Sequence, residues 1–291
     1  MTATANKKPD WIKSRIGGGP EFKKLASVLR DKKLHTVCEE ALCPNRGKCW
    51  ENGRATLMIL GDICTRGCSF CNVAPGKPTA CDKDEPRRVA EAVKSMGIKD
   101  IVITSVTRDD LKDGGAAIWA ETIRRVYDAV PGIFIETLIP DFGGAEDALK
   151  TVMDARPGIL GHNLETVPSL YTAVRPKADY GQSLELLGRA HKYGMITKTG
   201  IMVGLGETSD EMFSVMKDLI EAGCDILYIG QYLQPTKKNL SVSRYVEPSE
   251  FESYKRKGLE MGFKVVVSGP LVRSSYHSEE QSEFIKSTCP A

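Results

Sequence analysis

Residues 55–73 read ATLMILGDICTRGCSFCNV, an apolar run that leads directly into three cysteines. The run at 55–61 is almost wholly apolar, which is typical of a parallel strand that is covered on both faces. Immediately after it, Cys64, Cys68 and Cys71 form a C-x3-C-x2-C pattern. The stretch therefore predicts a buried strand that ends in a metal-binding loop.

Downstream of these cysteines, short β-branched runs alternate with amphipathic stretches. Helical patterns occur at 86–96, 116–130 and 209–222. Repeated strand–helix units of about thirty residues indicate βαβ crossovers and a parallel sheet. Six or seven units favour a closed or nearly closed barrel, although periodicity alone also permits a doubly wound sheet. The candidate strands are residues 100–106, 133–140, 158–165, 196–205, 226–233 and 264–269.

No linker rich in Pro, Gly or Ser divides the chain, so we expect a single α/β barrel domain with flanking segments. Residues 1–54 are assigned to an N-terminal extension that carries further cysteines. Residues 55–270 are assigned to a partial (β/α)6-type TIM barrel, and 271–291 to a C-terminal tail. The glycines at 17–19 and the basic residues around them are interpreted as a flexible arm. In barrels of this kind, chemistry gathers at the C-terminal ends of the strands.

The composition narrows the class of protein. The chain has 291 residues and a formal net charge of +2, so a nucleic-acid partner is not indicated. No apolar stretch reaches the roughly eighteen residues of a membrane helix, so no membrane association is expected. The polar start of the chain, residues 1–9, does not read as a secretory signal. The nine cysteines are therefore interpreted as thiols in a reducing compartment, and a cytoplasmic location is predicted.

The triad Cys64, Cys68 and Cys71 fits iron or zinc, because both metals accept thiolate ligands. A four-iron cluster normally takes four thiolates, so a loop that supplies three leaves one iron open to a small chelating molecule. Half of a zinc ribbon is the alternative, but no second C-x2-C or H-x3-H pair follows downstream. With Phe70 before the last cysteine, the loop resembles the signature of the radical S-adenosylmethionine (SAM) superfamily. That resemblance implies a [4Fe–4S] cluster that binds SAM, with Phe70 beside the adenine.

A further triad lies nearer the N-terminus. It consists of Cys38, Cys43 and Cys49, which form C-x4-C-x5-C in the segment HTVCEEALCPNRGKCWENG at 35–53. It again offers three thiolates without a local fourth ligand. The other cysteines are Cys81, Cys224 and Cys289, and none has positional support as a ligand. Cys224 falls between a helix and a strand, so core packing is its expected role.

The two triads in this order resemble the lipoyl synthase family, and the likeness covers nearly the whole chain. It includes the strings at 102–116, ETLIPDF at 136–142, HNLETV at 162–167 and PLVRSSYH at 270–277. The resemblance implies that the N-terminal triad, Cys38, Cys43 and Cys49, holds an auxiliary [4Fe–4S] cluster whose fourth ligand is a serine oxygen from the tail. By motif that serine is Ser275, beside Tyr276, although spacing alone does not separate it from Ser274.

The resemblance also implies residues for SAM. Asn163 and Glu165 lie two apart at a strand end, so both point to the same side, where they suit ribose hydroxyls. The HNLET string is also similar to biotin synthase, where these positions contact the ribose. Arg175 resembles the family's arginine for the methionine carboxylate, which a guanidinium fork suits. Thr104 and the backbone at 202–206 are further candidates for contacts with adenine or methionine.

The activity that the family resemblance implies is insertion of two sulfur atoms, at C6 and C8, into an octanoyl chain on a lysine of a lipoyl carrier domain. The auxiliary cluster is then the sulfur donor. The implied partners are acyltransferase subunits of 2-oxoacid dehydrogenases, the glycine cleavage H protein, and flavodoxin or ferredoxin as reductant. Three alternatives remain open: biotin synthase, which lacks the first triad; a tRNA methylthiotransferase, which needs an RNA-binding domain; and an iron–sulfur electron carrier or cluster scaffold.

Overall fold

The computed structural model describes residues 8–14 and 16–275. Most of the strands in this part of the chain form one sheet, and a small two-stranded sheet accompanies it. The strands are β1 (His35–Thr36), β2 (Thr56–Ile59), β3 (Ile63–Cys64), β4 (Ala74–Pro75), β5 (Asp100–Ser105), β6 (Phe134–Leu138), β7 (Ile159–Gly161), β8 (Thr197–Val203), β9 (Ile226–Gln231) and β10 (Val265–Gly269).

The large sheet has the order β1-β2-β5-β6-β7-β8-β9-β10. From β2 to β10 all neighbours pair in parallel, and only β1 is antiparallel to β2. No ladder between the described residues joins β10 to β1, so the barrel is open. The predicted partial barrel is confirmed, because every predicted strand is present with ends shortened by a few residues.

Helices cover the outside of this sheet. They are α1 (Pro20–Asp31), α2 (Val37–Glu40), α3 (Arg46–Glu51), α4 (Glu85–Met96), α5 (Ala116–Ala129), α6 (Glu146–Asp154), α7 (Tyr171–Val174), α8 (Tyr180–Lys192), α9 (Ser209–Glu221) and α10 (Pro248–Met261).

Local sequence explains several helix ends. A capping box between Thr208 and Glu211 starts α9, and Pro248 starts α10. Gly262 ends α10 with a φ of 114°, a conformation that glycine adopts without a steric penalty. None of the helices within the described ranges is long and apolar enough to cross a bilayer.

The prediction of a flexible arm is wrong for the described part of the N-terminal extension. Helix α1 starts directly after the three glycines, and its Leu25 and Leu29 are buried against the barrel. A Cβ at Gly17 would lie 2.5 Å from the ring of Phe22 and 2.8 Å from the Cα of Gly47. Close packing therefore leaves no room for a side chain at position 17. The run of glycines at 17–19 was mistaken for a sign of flexibility.

Candidate active site

In the loop from Cys64 to Cys71, two of the three cysteine sulfurs accept hydrogen bonds from backbone N–H groups. The Sγ of Cys64 accepts from the N–H groups of Arg66 and Thr107, each at 3.4 Å. The Sγ of Cys71 accepts from the N–H of Val73 at 3.4 Å. Such hydrogen bonds stabilise negative charge on sulfur, and in iron–sulfur proteins they tune the reduction potential of the cluster. We call this loop, residues 64–71, the mouth loop.

Arg66 clamps the mouth loop to the barrel through two carboxylates. It donates two hydrogen bonds of 2.6 Å to Asp141, whose side chain is fully buried, and bonds of 2.9 and 3.0 Å to Asp109. Burial acts to raise the pKa of Asp141, but the Arg66 guanidinium outweighs it and the pKa is lowered. Sequence reasoning missed Arg66, although its position inside the cysteine motif was the available signal.

The buried thiols of both triads favour the protonated form in the absence of metal. Burial raises the pKa of Cys71 to about 12 and that of Cys38 to about 11. A metal centre deprotonates such thiols outright, because it takes the place of the proton. Among the residues that the structure describes, no three Cys, His, Asp or Glu side chains converge closely enough to hold a single metal ion. A four-iron cluster is wider than one ion and contacts its ligands at separate corners.

The strand-end residues predicted for SAM lie beside the mouth loop. The Nδ2 of Asn163 donates to Glu165 Oε1 at 3.0 Å and to Ser274 Oγ at 2.7 Å. The Oδ1 of Asn163 is buried and has no hydrogen-bond partner in the described part of the chain. Glu165 has a φ of 69°, a left-handed conformation that is uncommon outside glycine and concentrates at functional sites.

Arg175 is buried below this pair and connects it to the cysteines. Its Nη1 donates to the carbonyl oxygen of Asn163 at 2.9 Å and to the hydroxyl of Tyr171 at 2.9 Å. Its Nε is buried and unpartnered within the described ranges. Burial raises the pKa of Cys68, while the nearby charge of Arg175 lowers it and that of Glu165 raises it. The fold thus brings Cys68, Glu165 and Arg175 together.

The remaining candidates for SAM contacts are engaged in different ways. The Thr104 hydroxyl donates to the Leu138 carbonyl oxygen at 2.9 Å, across β5 and β6. Phe70 is half-buried in the mouth loop. The backbone N–H groups at 204–206 all donate to the carboxylate of Glu207, at 2.6 to 3.1 Å, so these donors are already satisfied. These three assignments stay predictions.

The other triad lies at the start of β2 and β5. One cavity is lined by all three thiols, Cys38, Cys43 and Cys49, together with Arg273 and Ser275 from the tail. We call it the auxiliary cavity. Four donors of the type expected for an iron–sulfur cluster therefore face one space.

Two residues of the N-terminal extension, Asn45 and Trp50, lie in the segment that carries the auxiliary cysteines. Asn45, between two of the cysteines, donates from Nδ2 to the carbonyl oxygen of Leu271 at 2.7 Å and so ties the tail to this region. Trp50 is buried, and its indole Nε1 has no full hydrogen bond within the described ranges. Burial is the main cause of the raised pKa of Cys38, and donation from the Thr56 backbone acts in the opposite direction.

The tail enters the barrel over two glycines. A Cβ at Gly230 would lie 2.1 Å from the Val272 carbonyl oxygen, and one at Gly200 would lie 3.1 Å from Ser274 Oγ. The two serines then face different sites: Ser274 bonds Asn163, while Ser275 lines the auxiliary cavity. Tyr276 lies outside the described residues.

The other cysteines take no part in either site as described. No disulfide bond joins any of the eight described cysteines. Cys224 is buried in the core, as predicted, and Cys81 packs against the core near Arg108. Cys289 lies outside the described residues.

Comparison with known proteins assigns the chain to a family. The model of the radical SAM superfamily matches residues 58–219, and the model of the N-terminal domain of lipoyl synthase matches residues 2–43. The lipoyl synthase of Rubrobacter xylanophilus is 56% identical over 278 residues, which is 95% of this chain and 87% of the relative. That of Chlorobaculum parvum is 50% identical over 96% of each chain.

Solved structures support the fold. Methylornithine synthase matches with a TM-score of 0.54 at 14% identity, over 90% of this chain and 84% of its own. The FeFe-hydrogenase maturase of Carboxydothermus hydrogenoformans matches with a TM-score of 0.55 at 15% identity, over 92% of this chain and 78% of its own. The sequence matches decide against the electron-carrier, biotin synthase and methylthiotransferase alternatives. The chain belongs to the lipoyl synthase family of the radical SAM superfamily.

Proposed function

We propose that this chain inserts two sulfur atoms, at C6 and C8, into an octanoyl group carried on a lysine of a lipoyl carrier domain. The observation that carries the proposal is the tail, whose adjacent serines face the two sites: Ser274 the SAM residues and Ser275 the auxiliary cavity. Such an arrangement suits a reaction in which one substrate is activated at one site and receives sulfur from the other.

Family membership makes the chain a sulfur-inserting enzyme that uses a [4Fe–4S] cluster and SAM. We assign this cluster to Cys64, Cys68 and Cys71. When bound there, it supplies the electron that cleaves SAM and so provides the radical that removes hydrogen atoms from the substrate. The backbone donors to Cys64 and Cys71 fit this role, because they stabilise charged sulfur.

Asn163, Glu165 and Arg175 are assigned to SAM. The unpartnered Oδ1 of Asn163 is an acceptor for a ribose hydroxyl, and the Glu165 carboxylate is a second acceptor beside it. Arg175 carries a buried positive charge with a free Nε, which suits the methionine carboxylate. Phe70 and Thr104 are retained as further contacts with the cosubstrate.

The second cluster is assigned to Cys38, Cys43, Cys49 and Ser275, and we propose that it is the sulfur-donating substrate of the reaction. The serine oxygen is a harder ligand than thiolate and binds a soft cluster less firmly. One corner of the cluster is therefore the easiest to release, which a cluster that is consumed requires. The shared cavity and the hydrogen bond from Asn45 to the tail support this assignment.

The proposed partners are octanoylated carrier domains, namely acyltransferase subunits of 2-oxoacid dehydrogenases and the glycine cleavage H protein. Flavodoxin or ferredoxin is proposed as reductant, and the cytoplasm as location. The three-part division at residues 54 and 270 is kept as a proposal, with the tail acting as the segment that closes the auxiliary cavity.

The test uses anaerobically reconstituted protein with dithionite, SAM and an octanoylated carrier peptide. We expect mass spectrometry to find a peptide that has gained two sulfur atoms in the reduced, dithiol form, together with 5′-deoxyadenosine. Cys68→Ala and Cys43→Ala should abolish the product, whereas the matched control Cys81→Ala should retain it. Deoxyadenosine without a change in the peptide would contradict the proposed substrate.

A further inference from the structure

Ser274 is adjacent to the serine that lines the auxiliary cavity, yet its hydroxyl bonds the strand-end amide of Asn163. We infer that Ser274 is a positioning residue for SAM: it fixes the Asn163 side chain so that its oxygen faces the cosubstrate. The inference rests on the proposed function only in taking Asn163 as a SAM contact. It gives the two serines of the tail separate roles.

The hydrogen bonds of Asn163 carry the first step. An amide side chain has two N–H donors on nitrogen and an acceptor oxygen. Nδ2 is held on both sides, by Ser274 at 2.7 Å and by Glu165 at 3.0 Å. The acceptor Oδ1 remains, buried and without a partner among the described residues. A buried acceptor without a donor is costly, so this oxygen suits a donor from a bound molecule, such as a ribose hydroxyl.

Ser274 holds this orientation through the amide nitrogen, which leaves the amide oxygen to face the cosubstrate. Glu165 also binds the amide, but its carboxylate is assigned to SAM and gains new partners when SAM arrives. Ser274 is then the anchor of the amide nitrogen that stays unchanged. Without it, rotation of the Asn163 side chain is opposed only by a carboxylate that has other hydrogen bonds to make.

The space around this contact is shaped by a glycine. A Cβ at Gly200 would lie 2.9 Å from Asn163 Oδ1 and 3.1 Å from Ser274 Oγ. Any larger residue at position 200 would therefore displace the Asn163 amide and the Ser274 hydroxyl together. The absence of a side chain at Gly200 keeps open the space beside the unpartnered oxygen.

The seat of the tail does not depend on Ser275. Val272 is buried, its carbonyl lies against Gly230, and the preceding Leu271 accepts a hydrogen bond from Asn45. These contacts lie on the N-terminal side of both serines. Removing the Ser275 hydroxyl should therefore leave Ser274 on Asn163.

The test compares Ser274→Ala with the matched control Ser275→Ala, both reconstituted to the same iron content. SAM affinity is followed by the change it causes in the electron paramagnetic resonance spectrum of the mouth-loop cluster, and the auxiliary cluster by Mössbauer spectroscopy. Ser274→Ala should weaken SAM binding by about five- to tenfold, as expected for a lost buried hydrogen bond, and leave the auxiliary spectrum unchanged. Ser275→Ala should change the auxiliary spectrum and leave SAM affinity unchanged.

A double-mutant cycle separates positioning from a general structural effect. On an Asn163→Ala background, Ser274→Ala should cause no further loss of SAM affinity, because its target is gone. A Ser274→Thr variant should bind SAM more tightly than Ser274→Val, since the two differ in one hydroxyl. Comparison of these two variants replaces the measurement on Ser274→Ala if that variant does not hold its clusters.

Parental SAM affinity in Ser274→Ala, an additive loss in the double variant, or equal weakening by Ser275→Ala would each overturn the inference. None of these measurements needs the octanoylated peptide. Failure of the proposed function would appear instead as an unchanged peptide in the parent enzyme.

Discussion

The mouth loop and the auxiliary cavity each present three cysteines, but different contacts hold them in place. Arg66, inside the mouth loop, is held by two carboxylates that are distant in sequence and follow the neighbouring strands β5 and β6. The auxiliary cysteines lie on and between the short helices α2 and α3, and Arg273 and Ser275 from the tail line their cavity. One triad is tied to the barrel by buried charge pairs, and the other shares its cavity with residues of a separate segment.

This difference suits the two different tasks that we propose for the cysteine triads. A centre that must act repeatedly needs a fixed loop, which buried charge pairs with good geometry provide. A centre that gives up its atoms needs a ligand that can leave, and a tail residue moves without unfolding the barrel. We therefore expect changes near the mouth loop to affect stability and SAM cleavage, and changes near the tail to affect sulfur transfer.

The largest effect is expected from Arg66→Met. It leaves the carboxylate of Asp141 buried and unpaired, which should lower the free energy of unfolding by about 3–5 kcal/mol. Chemical unfolding and the iron content of each cluster are the measurements, and the mouth-loop cluster should be lost first.

The double variant Arg66→Met/Asp141→Leu tests the cause. It should recover most of the free energy of unfolding, because no buried charge remains, but not the mouth-loop cluster. A single variant that unfolds like the parent would show that the clamp does not hold this loop.

An intermediate effect is expected from Gly230→Ala, whose new methyl group would meet the Val272 carbonyl oxygen at 2.1 Å. Such overpacking costs about 1–3 kcal/mol and should displace the tail from its seat. The variant should still form 5′-deoxyadenosine while losing most of the sulfur-inserted product, as followed by mass spectrometry.

Gly269→Ala is the matched control for this variant, because its Cβ would lie 3.4 Å from a methyl group of Val272, an ordinary contact. It should retain product. Equal product from Gly230→Ala and Gly269→Ala would disprove the need for a seated tail.

The smallest effect is expected from a drop in pH, which should lower the free energy of unfolding through the buried His162. His162 is buried, and burial is the main reason that its pKa is lowered to about 4. Below its ordinary pKa of about 6.5 the unfolded chain binds the proton and the folded chain does not, so stability falls as the pH drops from there towards 4. The loss should be about 1 kcal/mol between pH 7 and pH 5.5.

Urea unfolding at the two pH values measures this loss. His162→Asn keeps an amide donor at the position of Nδ1 for the carbonyl oxygen of Ile139 but does not titrate, so its dependence on pH should be flatter. An identical slope in the variant and the parent would assign the acid response to other groups.

Much of this architecture could be predicted from the sequence, because its signals are local. Parallel strands buried on both faces form continuous apolar runs, which predicted β2 and β5 to β10 but not the short strands β3 and β4. The cysteine spacings predicted both triads, and the separation of Asn163 and Glu165 by one residue predicted that their side chains point to the same side. The hydrogen bond between them was seen only in the structure.

The remaining features depend on contacts between distant positions. Arg66 and Asp141 are 75 residues apart, and nothing local shows that they pair. Gly230 is small because Val272 passes over it, and Gly17 is small because it packs against Phe22. From the sequence alone, a glycine that permits close packing looks the same as one that permits flexibility. The separate positions of Ser274 and Ser275 likewise required the fold.

The most direct test of the central claim is a count of iron before and after one round of sulfur insertion. Protein with about eight irons is mixed with SAM, reductant and octanoylated peptide, and Mössbauer spectra are compared with that of Cys43→Ala. The account predicts loss of about four irons, all from the auxiliary cavity, while the SAM-sensitive signal of the mouth loop stays. Product formed with both clusters intact would contradict it.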